Sequence, residues 1–271
     1  MEKTAINTVV TLLILASGMM VSSGVELAYV FGIDDSIHSV NTDTGTERAV
    51  YTIPRYIELR GIDSAPDGKI YFVTGQSGGI SEDPGSYIYL EQIKSITPSA
   101  VPGGGYGDEA IVYTRETLLP VGIPGEMEPI RDVAVKKTDD SGSYEVYFSI
   151  ATGAWRDGHI YRVDGPETAS HYYTVNLADF PVLSCNGTAG TWGGDFAFDD
   201  ADNLYLSSGN HVPASIFRIS GAGVYGVTGS PVEVYGHDCC VMGLCYESPD
   251  VLYFADWGSS IYRLDLGTHE A

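Results

Sequence analysis

The sequence predicts an all-β fold, a β-propeller of four-stranded blades. Three observations lead there. A hairpin with an aromatic first strand and an apolar second strand recurs five times, and the 33 Gly and 13 Pro fall mostly between the apolar runs. Beyond the N-terminal segment, helical periodicity is almost absent.

The clearest copy of the hairpin is Val251 to Leu266. An apolar run, Val251 to Ala255, meets a polar turn, Asp256 to Ser260, and a second run follows with Ile261, Leu264 and Leu266 apolar. The first strands of the five copies are Leu27 to Phe31, Lys69 to Val73, Glu145 to Ser149, Asn203 to Ser207 and Val251 to Ala255. Their partners are Ile37 to Val40, Tyr87 to Leu90, Ile160 to Val163, Ile216 to Ile219 and Ile261 to Leu264. Four copies carry an inner strand upstream, beginning at Gly61, Asp132, Asp195 and Gly243. Most have an outer strand: Arg48 to Ile53, Ala110 to Thr114, His171 to Asn176 and Pro231 to Tyr235. Asp63, Asp67, Asp199, Asp200 and Asp202 read as turn carboxylates between inner and second strands. Radial packing of such units covers apolar faces that independent hairpins would leave open.

Closure has two readings. The first unit begins at Leu27 with no inner strand, and the last stops after its third strand. A missing outer and inner strand amount to about 20 residues. The chain is then either part of an incomplete six-bladed ring or a ring of five.

Charge narrows the function. With 14 Lys+Arg against 36 Asp+Glu, the net charge is -22, which disfavours nucleic acid and anionic lipid as partners. Lys3 followed by the apolar run 9–21 has the layout of a secretory signal, giving a signal peptide over 1–23 and a propeller over 24–271. An uncleaved anchor is the alternative. No second apolar stretch is long enough to span a bilayer, so the mature chain is expected outside the cell or on its surface, without a membrane span. Cys185, Cys239, Cys240 and Cys245 suit disulfides in that compartment, with three pairings open. Asn186 begins the sole N-x-S/T sequon.

The repeat pattern G-apolar-x-x-x-P-D-G-x-apolar-Y-apolar, then I-Y-R-apolar-D, resembles the six-bladed propellers of NHL, YWTD and SMP-30/gluconolactonase-like repeats. Tyr253 to Gly258 is especially similar to a YWTD repeat. The resemblance covers roughly Glu26 to Leu266 and speaks to architecture, because these folds host many activities. It implies that loops joining second to third strands share one rim with loops joining blades. Trp155, Arg156, Asp157, Trp192, His211, His237, Asp256 and Trp257 fall there, a candidate binding surface for a protein or glycan. Packing of each Trp between blades is the competing reading.

The resemblance also implies that inner-strand starts face a central channel. Asp132 and Asp195 align there, with Glu128 nearby, as candidate Ca²⁺ ligands. Arg60 aligns with Arg131, and Arg–Asp pairing across the channel is the rival to a metal. The Asn-Gly-apolar motif that carries an Asn ligand in gluconolactonase-like enzymes is replaced by Arg60-Gly61-Ile62 and Met242-Gly243-Leu244. No nucleophile elbow or phosphate loop occurs. The leading expectation is an exported binding module working through its Trp-rich rim. The alternatives are a Ca²⁺-dependent hydrolase or lyase and a structural module of a cell-surface protein.

Overall fold

The computed structural model describes residues 13–15, 27–31, 36–41, 47–52, 57–80, 86–98, 106–120, 128–138, 142–151, 157–176, 184–185, 188–189, 195–207, 214–221, 231–238, 241–247, 250–256 and 260–268. Among the described residues every regular element is a strand. Blade one is β1 (Leu13–Leu15), β2 (Leu27–Phe31), β3 (Ser36–Asn41) and β4 (Glu47–Thr52). Blade two is β5 (Ile57–Ser64), β6 (Ile70–Ile80), β7 (Ser86–Pro98) and β8 (Tyr106–Pro120). Blade three is β9 (Ile130–Lys137), β10 (Tyr144–Ala151), β11 (Asp157–Gly165) and β12 (Thr168–Asn176). A two-stranded ribbon, β13 (Ser184–Cys185) and β14 (Thr188–Ala189), precedes blade four. That blade is β15 (Phe196–Phe198), β16 (Leu204–Ser207), β17 (Ala214–Ile219) and β18 (Val232–His237). Blade five has three strands, β19 (Val241–Glu247), β20 (Val251–Asp256) and β21 (Ile261–Asp265).

All pairings are antiparallel between successive strands. The inner strands β1, β5, β9, β15 and β19 are neighbours in that order, and β1 also lies against β19, so five blades close the ring. This corrects the expectation that the first unit lacks an inner strand. Leu13–Leu15 pair with β2, Leu13 opposite Val30 and Leu15 opposite Ala28. An apolar run of that kind satisfies a signal segment and a buried strand equally well, which is why the sequence pattern did not separate them.

Strand periodicity builds the core. Successive side chains of a strand point to opposite faces, so a blade's residues divide between its two neighbours. In blade four, Phe196 and Phe198 pack with Tyr147, Ile160 and Val175 of blade three. Ala197 and Tyr205 instead join Val241, Leu244, Leu252 and Phe254 of blade five. A comparable layer of Tyr71, Val73, Ile93, Val133 and Phe148 fills the space between blades two and three. Each fully buried Phe or Ile contributes about 2–3 kcal/mol of transfer free energy. β16 is buried along its whole length, whereas the outer strand β12 is exposed or half-buried at every position but Val175. Such outer strands carry the polar alternation expected of a one-sided sheet edge.

One irregularity recurs. In β5 the pairing with β6 shifts between Arg60 and Ile62, leaving Gly61 as the extra residue. In β19 it shifts between Met242 and Leu244, leaving Gly243. In β9 it shifts opposite Ser149, across Arg131 and Asp132. Bulges bend a strand and re-aim its side chains. Gly61 and Gly243 hold φ of +38° and +79°, and a Cβ on Gly61 would collide with the Asp132 backbone. The glycines in Arg60-Gly61-Ile62 and Met242-Gly243-Leu244 therefore serve the backbone.

Candidate functional site

The bulges deliver carboxylates to the joints between blades. Val135 N–H donates to Asp63 Oδ2 at 2.6 Å, tying blade three to blade two. Phe196 N–H donates to Asp132 Oδ2 at 3.1 Å, tying blade four to blade three. Gly243 N–H donates to Asp195 in the same sense, from blade five to blade four. The remaining oxygens are used locally: Val133 N–H reaches Asp132 Oδ1 at 2.9 Å, and Ser207 Oγ–H reaches Asp195 Oδ2 at 3.2 Å. Three successive joints are thus clamped by buried or half-buried acids.

These acids are held near protonation. Loss of solvent raises the Asp63 carboxyl to about 7, against the N–H bonds from Val135 and Ser64 that favour its charge. Loss of solvent likewise raises Asp195 to about 6, opposed by Ser207, backbone N–H groups and the Arg131 charge. Asp132 is pushed up by burial and by the neighbouring Asp195 charge. The Arg131 charge favours the Asp195 carboxylate. Arg60 pairs differently, with Glu58 and Glu91.

The donor set does not suit Ca²⁺ at the aligned pair. Asp132 spends each oxygen on a backbone N–H and is 2% exposed, leaving no open face for an ion. Glu128 is exposed, and its backbone carbonyl accepts from Arg115 Nη1 at 2.8 Å. No group of three or more His, Cys, Asp or Glu is placed to hold a metal among the described residues.

At the end of the channel where inner strands turn into second strands lies a cavity of about 310 Å³. Four blades contribute to it: Asp63 and Pro66, Val135 and Lys137, Phe198 and Asp200, and Tyr246. Asp63 combines cavity access, a joint-clamping role and a near-neutral carboxyl. This corrects its reading as a turn acid. Asp67 and Asp199 do hold turns: Lys69 N–H donates to Asp67 at 3.2 Å, and Asn203 N–H to Asp199 at 2.8 Å. Asp199 also accepts from Asn203 Nδ2 and Tyr205 OH, so its oxygens are occupied within the turn. Asp200 is exposed beside it.

Of the four cysteines, Cys245 alone is described with its side chain. It is buried, and among the described residues it forms no disulfide. Its Sγ lies 4.0 Å from Asp63 Oδ1 and packs with Ile37, Ile62 and Phe72, where no second sulfur stands among the described residues. Of the expected rim, only His237 is described with its side chain; from the end of β18 in blade four it packs edge-on against Phe254 and Tyr262 of blade five. Asp157 and Asp256 are described as strand ends only. Trp155, Arg156, Trp192, His211, Trp257, Cys239, Cys240 and Asn186 lie outside the described residues, and Cys185 is described as strand only.

No family model and no curated protein sequence matches the chain. Among solved structures it is similar to a catalytically inactive virginiamycin B lyase from Staphylococcus aureus, at 12% identity and TM-score 0.44, covering 97% of each chain. A protein of unknown function from Bacteroides thetaiotaomicron aligns at 10% identity and TM-score 0.41, over 97% of this chain and 71% of that one. An oligogalacturonate lyase in complex with manganese aligns at 10% identity and TM-score 0.34, over 88% and 73%. Superpositions this loose assign no activity to the chain.

Proposed function

We propose that this chain is a binding module that seats an ammonium group, such as a lysine side chain of a protein partner, in the axial cavity. The carrying observation is the convergence of four blades on a cavity with Asp63 at its wall and exposed Asp200 at its margin. Phe198, Val135 and Pro66 offer apolar lining for an alkyl stem, and the carboxylates accept from its charged head. The chain's net charge of -22 adds long-range attraction for cations. Lys137 also lines the cavity, which favours a single cationic head over a cluster of them.

The binding-module reading puts the chain outside the cell, with the Trp-rich rim as a further contact surface for a protein or glycan; both rest on the sequence. Removal of 1–23 takes β1 with it and leaves blade one with three strands, like blade five. N-terminal sequencing of the exported chain decides between a start near Gly24 and retention of β1.

The test is titration with butylammonium and with a lysine-containing tripeptide, followed by calorimetry at pH 8. Asp200→Asn is expected to weaken binding several-fold, while Trp155→Ala leaves the tripeptide's affinity unchanged. Equal affinity in Asp200→Asn and the parent protein, or no binding of either probe, contradicts the cavity as the seat.

A further inference from the structure

At the opposite end of the inner strands, between blades two and three, sits a second polar site. Arg60 is its centre. Its Nη1 donates to Glu91 Oε1 at 2.9 Å and to the Ile130 carbonyl at 3.3 Å. Glu91 is 1% exposed and also accepts from Ile130 N–H at 2.8 Å, so the guanidinium is anchored to both blades. A second arginine, Arg115, supports the same carboxylate, with Nη1 3.6 Å from Glu91 Oε2.

The other nitrogen of the guanidinium faces Tyr89 and Glu58. Arg60 Nη2 donates to Tyr89 OH and to Glu58 Oε2, and Tyr89 OH donates onward to Glu58 Oε2 at 3.4 Å. The Arg60 side chain is 13% exposed, whereas that of Glu58 is 65% exposed. A mostly solvated carboxylate therefore occupies a seat whose donors are buried and fixed. Gly75 makes room for the Tyr89 hydroxyl, because a Cβ there would run into Tyr89 OH and stand 3.3 Å from Arg60 Cζ.

We infer that Arg60 and Tyr89 form a binding site for a carboxylate group of an external ligand, with Glu58 as an internal, displaceable mimic. The chemistry fits an anion that accepts two hydrogen bonds from one side. The second donor edge of a guanidinium and an adjacent phenol present that pattern, and preorganised donors lose little entropy on binding. Glu58 competes for the seat from two residues upstream on the same strand, so its removal frees the donors without disturbing Glu91. The site is separate from the ammonium seat, which lies at the other end of the strands. The two together would read a ligand or partner surface carrying both signs of charge.

The experiment is calorimetric titration with malonate, with chloride at matched ionic strength as the control, on the full chain at pH 7.5. Malonate is expected to bind Glu58→Ala about tenfold more tightly than the parent protein. Adding Tyr89→Phe to Glu58→Ala is expected to lose several-fold of that affinity. Glu58→Gln, which keeps the shape but not the charge, is expected to gain affinity as Glu58→Ala does. If both Glu58 variants are folded and bind malonate no more tightly than the parent, the mimic is wrong. If chloride matches malonate in every variant, the site is not selective for carboxylates and the inference fails.

Discussion

The two ends of the channel use acids in opposite ways. At the cavity end, Asp63 meets no cationic side chain in a hydrogen bond among the described residues; backbone N–H groups and a thiol surround it, and its carboxyl is held at about 7. At the other end, Glu91 is bracketed by Arg60 and Arg115. Burial still raises its proton affinity, but the two guanidinium charges and Ile130 N–H work against that rise. A buried acid among neutral donors is a proton switch, whereas a buried acid among arginines is a fixed anchor. Between them, Asp132 resembles Asp63, a buried acid raised by loss of solvent among backbone N–H donors, and serves as a joint.

The largest effect is expected at that joint. Asp132→Ala strips the acceptor from Val133 and Phe196 N–H in a closed interior and is expected to cost about 3 kcal/mol in urea unfolding. Gly61→Ala, which forces a Cβ against the Asp132 backbone at positive φ, is expected to cost about 2 kcal/mol. Near-parent stability in either variant would show that the blades meet without need of the clamp.

A pH series sharpens the contrast. Asp63 and Asp195 have folded values of about 7 and about 6, above the ordinary 3.8. The folded protein holds more protons than the unfolded chain between those limits, so this contribution is full at low pH and is lost as pH rises through 6 to 7. Stability is therefore expected to fall between about pH 4 and about pH 7, and Asp63→Asn should flatten the upper part of that slope. A slope unchanged in Asp63→Asn would assign the effect elsewhere. Cys245→Ser is expected to have the smallest effect, within about 1 kcal/mol, since a hydroxyl still donates toward Asp63. A larger loss would show that packing with Ile37, Ile62 and Phe72 dominates at that position.

The repeat was legible because β-strand periodicity and turn residues are local. Tyr253 and Phe254 announce their strand without help from the rest of the chain. The role of Asp63 was not legible. It sits two residues after Gly61 and just before a Pro-Asp-Gly turn, and only the twist between blades brings Val135 N–H to it. Glu91 looks like one polar position of a long strand, and its burial follows from Arg60 and Ile130, 31 and 39 residues away. Alignment of Arg60 with Arg131 gave no hint of the glutamates that Arg60 chooses. Gly243 and Gly61 carried a backbone signal that spacing alone marked only as a departure from a ligand motif.

The ammonium seat is tested most directly by following the Asp63 side-chain carboxyl by carbon-13 NMR from pH 4 to pH 9, with and without butylammonium. The carboxyl is expected to titrate near 7 alone, and at a lower pH when the cation is bound, because the bound charge favours the carboxylate. A midpoint near 4 in the absence of ligand, or a midpoint that saturating butylammonium does not move, would contradict the seat.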